Sequence, residues 1–295
     1  MDGNSTSDAS TRLAAIVALL TLCLGLVGTP QSYAAGVWTN EPAGANVVID
    51  CPFNSVSGCG ILDAYSSSQI VSDGSAPISP SSVVKSTFSA GNTSGGMQLN
   101  YVTPQIQSEM YVGLIWRTNP EFQGNPGSYS NKMFFIRGPG TNGLLLMYGP
   151  SGGPHQAVFG HNTGGGLDNS HVCAFDLGLI CYPNVNSGAA FLPRGTWTKL
   201  EMYVKKSTTN TSRDGILRWW VNGVLVGNYT TLNYAGAGLN EWVWNEAWDG
   251  TFNPNHVEWN HFIDHLHVSI PNGGGSTDQP PGPPASPSIR SVTAP

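Results

Sequence analysis

The sequence predicts an all-β chain built as an antiparallel two-sheet sandwich, on three observations. Short runs rich in β-branched and aromatic residues recur between residues 36 and 270, and no stretch there carries a convincing helical pattern. The clearest run alternates apolar and polar side chains, the period a sheet needs when one face lies on a core. Glycine and proline, 37 and 21 of 295 residues, punctuate the whole chain, as many strands joined by turns require.

The N-terminus stands apart from that pattern. Residues 13–28, LAAIVALLTLCLGLVG, are apolar and follow Arg12, and Ser32 and Ala34 supply small residues at signal-peptidase spacing. Residues 1–34 therefore read as an export signal cleaved after Ala34; a retained anchor is the alternative, the apolar run lying near the lower limit for spanning a bilayer. Cysteine usage agrees with export. Cys51 and Cys59, and Cys173 and Cys181, are two Cys-x7-Cys pairs in loop-like sequence. Two local disulfides are the simplest pairing of the three possible, and the spacing is wrong for a zinc ribbon.

Strands are expected at 110–118 (MYVGLIWRT), 131–138 (NKMFFIRG), 143–149 (GLLLMYG) and 156–161 (QAVFGH). In 197–206 (WTKLEMYVKK), Leu200, Met202 and Val204 share one face, and Lys199, Glu201 and Tyr203 the other. ILRWWV at 216–221 pairs back, and Asn222-Gly223 makes a tight hairpin into VLVGNY. Leu217, Trp219 and Val221 join the expected core. WVWNEAW (242–248) and HFIDHLHVSI (261–270) complete the set, giving one domain over 35–270. Residues 271–295, PNGGGSTDQPPGPPASPSIRSVTAP after Ile270, offer almost nothing to bury and read as a linker or disordered tail.

The order GTW (195–197), LEMYVK (200–205), a polar loop, DGILRWWVNG (214–223) and a terminal IDHLHVS (263–269) resembles the jelly-roll branch of the concanavalin A-like lectin and glucanase superfamily. More narrowly, it is similar to secreted proteins related to polysaccharide lyases of that fold. The resemblance is densest over Gly195–Gly223 and in the last strand, and rests on strand order alone from about Glu109. It implies two curved sheets, the concave one carrying a groove for an extended glycan. The E-x-D-x-x-E string of the family's hydrolases is absent, and so are the R-x-E-x-R, Q-I-H and Y-x-K-x-G-x-Y strings of its alginate lyases. The nearest analogues by position are Arg117 in IWRT, Arg137 in FIRG and Tyr148 in LMYG, with His155 and His161 flanking the next strand.

Lyase chemistry explains the interest of these residue types. Elimination across a uronate needs a cation or amide at the carboxylate, a base for the C5 proton and an acid for the leaving oxygen. Arg137, Tyr148, His161 and Glu246 are the catalytic candidates, and Arg117, Trp242, Trp244 and Trp248 the substrate-binding ones. Strand alternation puts Trp242, Trp244, Glu246 and Trp248 on one face, where flat rings could stack on sugars around a carboxylate; a buried aromatic core is the alternative. In the last strand the same alternation groups His261, Ile263, His265 and His267, and sets Asp264 among apolar residues. His265 and His267 could ligate zinc, and Asp264 could hold a structural calcium or meet a buried partner. No other cofactor is implied.

GPGTNG at 138–143 matches a dinucleotide-binding pattern, but a strand follows it where a helix N-terminus would be needed, so it reads as a β-turn. Formal charge is −6, and −5 once Asp2, Asp8 and Arg12 are removed with the leader. No run of Lys or Arg exceeds two residues, so neither nucleic acid nor anionic lipid is indicated. The expectation is a monomeric, secreted carbohydrate-active protein, free of the membrane once processed, that acts on a polysaccharide as a lyase-like enzyme or binds it as a lectin-like module.

Overall fold

The computed structural model describes residues 38–64, 68–79, 81–91, 98–124, 130–139, 141–148, 155–160, 189–234, 236–245 and 257–271, all within one unit spanning Tyr33–Pro295. The expected leader and nearly all of the expected tail lie outside the described residues. Fifteen strands are described: β1 (Asn46–Cys51), β2 (Leu62–Asp63), β3 (Gln69–Val71), β4 (Val83–Phe88), β5 (Gln98–Gln107), β6 (Glu109–Thr118), β7 (Ser130–Gly138), β8 (Thr141–Tyr148), β9 (His155–Gly160), β10 (Phe191–Leu192), β11 (Thr198–Lys205), β12 (Gly215–Val221), β13 (Val224–Leu232), β14 (Leu239–Asn245) and β15 (Trp259–Ile270). Among the described residues, the one helical element is a 3₁₀ turn at Ser57–Cys59.

The strands form two antiparallel sheets. Sheet A runs β13-β12-β11-β6-β15-β4-β3, with β1 also paired to β15; sheet B runs β10-β9-β8-β7-β14-β5-β2. About half of the neighbouring pairs are not consecutive in the chain, and chain order alone does not bring β14 beside β5 and β7. The hairpin expected at Asn222-Gly223 is present, both residues taking positive φ (51° and 79°), the geometry a two-residue primed turn demands. GPGTNG closes another hairpin, in which Gly138 pairs with Thr141.

The core lies between the sheets. Leu200, Met202, Val204, Leu217, Trp219 and Val221 are all buried there, as their alternation predicts, against Leu99, Phe134 and Ile136 of sheet B. Trp219 also donates its indole N–H to the carbonyl of Ala157, 3.2 Å away in the other sheet. Its ring lies over Gly227, where an added Cβ would approach it to 2.0 Å. Only glycine fits that close passage of β13.

Two sequence expectations change here. Trp242 and Trp244 are 0% exposed and belong to the core, so they do not line a groove. Their alternation is real, but the aromatic face turns toward sheet A, where burying the rings removes the most apolar surface from water. In β15 the pairing with β6 shifts between Ile263 and His265. This bulge breaks the period of two: Ile263, Leu266 and Val268 all join the core, while His265 and His267 turn to the outside of sheet A.

Cys51 and Cys59 form a disulfide with a Cα–Cα distance of 5.6 Å, tying the end of β1 to the 3₁₀ turn. A bridge of this kind fits an extracellular protein. Cys173 and Cys181 lie outside the described residues.

Candidate functional site

Each sheet has one face that is not spent on the shared core, and the two differ in what they leave accessible. The outer face of sheet A is closed by the segment before β1. Trp38 lies over Gly113, where a Cβ would meet the indole at 2.3 Å, and stacks on His267 with ring centroids 5.4 Å apart. Asn40 Nδ2 donates to Glu201 Oε2 (3.0 Å), which also receives Lys199 Nζ (2.9 Å), while Tyr111 donates its hydroxyl to Glu201 Oε1 (2.6 Å). Burial and the neighbouring Glu201 charge push the Tyr111 hydroxyl well above the ordinary tyrosine range. Tyr203 donates to Glu109 (2.6 Å) and packs with Tyr111, Ile216 and Trp220.

His265 and His267 are part of this closure. His265 Nε2 lies 2.7 Å from Asp50 Oδ1; His267 Nδ1 lies 3.3 Å from the same oxygen and its Nε2 2.9 Å from Glu41. Burial raises the Asp50 pKa, but its bonds and charge interactions with His265 and His267 outweigh that and hold it below the usual aspartate value. Asp264 accepts the backbone N–H groups of the half-buried Ile78 (2.6 Å) and Ser79 (2.9 Å). Burial nevertheless leaves its pKa raised. Asp264, His265 and His267 are taken up by these contacts, and among the described residues no group of three His, Cys, Asp or Glu side chains could hold a metal ion.

Arg117 also belongs to sheet A. β6 sends Met110, Val112, Leu114 and Trp116 inward, so Arg117 points away from sheet B. Its guanidinium bonds Asp73 at 2.5 Å and sits 4.8 Å from the Trp197 ring centroid and 4.1 Å from that of Phe262. It holds the 73–79 loop to the sheet, and it does not meet Arg137 in one site.

The outer face of sheet B is different. Arg137, in β7, is half-buried and bonds Glu241 of the adjacent β14 twice, Nε to Oε2 at 2.6 Å and Nη2 to Oε1 at 3.3 Å. Glu241 also accepts Asn100 Nδ2 (2.9 Å) from β5. The line continues along the strands, with Gln98 Nε2 donating to Asn100 Oδ1 (3.1 Å) and Asn245 Nδ2 to Gln98 Oε1 (2.9 Å). Phe135 and Val243 are buried beside it, and Val102 and Leu62 are exposed at its edge, 54% and 64%. Lys132 is half-buried in the same strand as Arg137, paired in register with Leu146.

Tyr148 ends β8, opposite Ser130 and Gln156 in the ladder, so its backbone lies two pairs from that of Lys132. His161 follows β9 directly and lies outside the described residues, as do Glu246 and Trp248. His155 is described, but it faces the interior: it is 1% exposed, and burial lowers its pKa to about 4.

Glu241, Asn100 and Lys132 escape a reading of the sequence. The signal was present in β14, where Glu241 and Asn245 occupy the positions that alternate with the tryptophans. A period of two separates the faces of a strand without saying which face is inside.

No family model matches the chain, and no curated protein does. Solved structures do. An alginate lyase, Aly36B, superposes with a TM-score of 0.52 at 19% identity, covering 80% of this chain and 96% of that one. Alginate lyase vAL-1 from Chlorella virus superposes at 0.56 and 14% identity, covering 76% and 100%. A variant of the first, with a lysine and a tyrosine each replaced by alanine, is known in complex with an alginate tetrasaccharide; it superposes at 0.50 and 18% identity, covering 76% and 93%. The fold is that of the jelly-roll polysaccharide lyases.

Proposed function

We propose that this protein is a secreted, polysaccharide lyase-like enzyme that lays an extended, uronate-containing glycan along a concave outer face of sheet B. The observation that carries this reading is the contrast between the sheets. Sheet A is sealed by its own N-terminal segment, whereas sheet B presents a half-buried Arg137 in a line of polar side chains. Carbohydrate-active neighbours of the same fold, one of them holding an alginate tetrasaccharide, support a polysaccharide as the partner.

In this reading Lys132, whose backbone lies two pairs from that of Tyr148, faces the carboxylate of the reacting sugar and draws off charge as the C5 proton leaves, and Arg137, five residues along β7, faces a neighbouring sugar. Tyr148 and His161 exchange protons. One takes the C5 proton, the electron pair forms the C4–C5 double bond, the C4–O bond breaks, and the other protonates the departing oxygen. Glu246 lies beyond the end of β14 and completes the candidate set.

One observation favours a lectin-like binding module instead. Arg137 already has a carboxylate, and a cation so paired is a weaker electrophile for a second one. A single assay separates the two. The protein is incubated with uronate-containing and neutral polysaccharides, and unsaturated products are followed by ultraviolet absorbance and chain ends by reducing equivalents. Unsaturated products are expected from uronate polymers. Silence in both channels, with retention on a glycan affinity gel, would leave the binding module standing.

A further inference from the structure

The charge on sheet B is too sparse for a polymer with a carboxylate on every sugar. Its strands hold two lysines or arginines, Lys132 and Arg137, against two acidic residues, Asp63 in β2 and Glu241 in β14. Arg194, just after β10, donates Nη1 to the carbonyl of Phe122. Arg137 is engaged twice by Glu241. Each uncompensated carboxylate brought onto such a surface loses hydration and gains no counter-charge.

The polar line beside Arg137 has a different capacity. Asn245, Gln98 and Asn100 pass hydrogen bonds from one to the next and end on Glu241, each amide donating one N–H to the row. A primary amide has two N–H groups and a two-lone-pair oxygen, so each still has hydrogen-bonding capacity beyond the row, in orientations the row has set. Sugar hydroxyls, which both donate and accept, use both sides of such a surface; carboxylates, which only accept, use its N–H groups alone.

We propose that the glycan taken by sheet B carries isolated uronates separated by neutral sugars: Lys132 and Arg137, five residues apart on β7, each receive at most one carboxylate, and the Asn100–Gln98–Asn245 row beside them reads the hydroxyls of neutral neighbours. This rests on the reading of sheet B as the glycan-binding face. Glu241 sets the balance, since its carboxylate withholds Arg137 from a second anion.

The test compares two polymers matched in length, a polymannuronate and one in which glucuronate alternates with a neutral hexose, by affinity electrophoresis and by release of unsaturated products. The alternating polymer is expected to be retained or cleaved better, with only a shallow dependence on salt. Glu241→Gln releases Arg137 and shifts the ratio toward polymannuronate by roughly two- to fivefold, the span of a partly exposed charge pair. Gln98→Ala weakens the alternating polymer more than it weakens polymannuronate. A melting temperature near that of the parent confirms that each variant is folded. Preference of the parent protein for polymannuronate, with steep salt dependence, would overturn the inference and leave the glycan reading intact. Failure to bind or cleave either polymer would overturn the reading of sheet B, and the inference with it.

Discussion

His155 makes this fold acid-sensitive by an amount that can be worked out. It sits at the start of β9 with its ring turned into the sandwich, edge-on to Phe122 at 5.9 Å, and is 1% exposed. Arg194 and His261 are the charged or titratable groups that bear on it, and both disfavour a second positive charge. Burial is the larger cause, and together they lower its pKa from 6.5 to about 4, with a bond to the Gln123 backbone opposing them. The folded protein therefore keeps His155 neutral at pH values where the unfolded chain binds a proton. Its contribution is complete above pH 6.5 and is lost as pH falls toward the folded-state value. A displacement of that size corresponds to about 3 kcal/mol in full, and to about 2 kcal/mol at pH 5. The assay is urea unfolding between pH 7.5 and about 4.5 for the parent protein and for His155→Phe, which keeps a flat ring and removes the titration. The parent is expected to lose about 2 kcal/mol more than the variant on going from pH 7 to pH 5. Parallel pH dependences in the two proteins would refute the argument, whatever their stabilities at neutral pH.

The remaining predictions follow from the same packing. Trp244→Ala should cost about 3–5 kcal/mol, because the indole is 0% exposed, and lower the melting temperature by roughly 6–20 °C. A Trp244→Ala protein of parental stability that had lost glycan retention would restore the groove reading. Reducing Cys51–Cys59, or replacing both with serine, should cost about 2.5 kcal/mol in the loop-entropy account for a separation of 8 residues, measured as a shift in urea midpoint. Gly113→Val should displace Trp38 from His267 and open the outer face of sheet A, since even a Cβ would lie 2.3 Å from the indole. Faster amide hydrogen exchange over residues 38–51 is the readout, and unchanged protection there would count against the closure described. Arg117→Ala should release the 73–79 loop with no effect on glycan binding, seen as raised exchange in that loop beside unchanged affinity-gel retention.

Much of the architecture was legible. The alternation of Leu200, Met202 and Val204, its complement in Leu217, Trp219 and Val221, and the Asn-Gly turn each carry their own local cause, and each is found in the structure. β1–β5 and β10 were not marked out, because short, half-exposed or proline-containing strands such as β5 lack the apolar run that makes a strand visible. At the candidate site, Arg137 was identified as a residue but not as half of an ion pair.

The sequence by itself determined the fold class, the hairpin, the core of β11 and β12 and the residues that share a face of β14. Three matters were decided only by tertiary structure. Which face of β14 is inside depends on the sheet stacked against it, and burying two indoles there leaves Glu241 and Asn245 outward. One extra residue at the β15 bulge moved His265 and His267 across the sheet, a change no period of two can express. The Arg137–Glu241 pair spans 104 positions and exists because β14 lies beside β7. Local chemistry is written along the chain. Charge neutralisation at a site is a sum over neighbours in space, and the packing of the sheets chooses those neighbours.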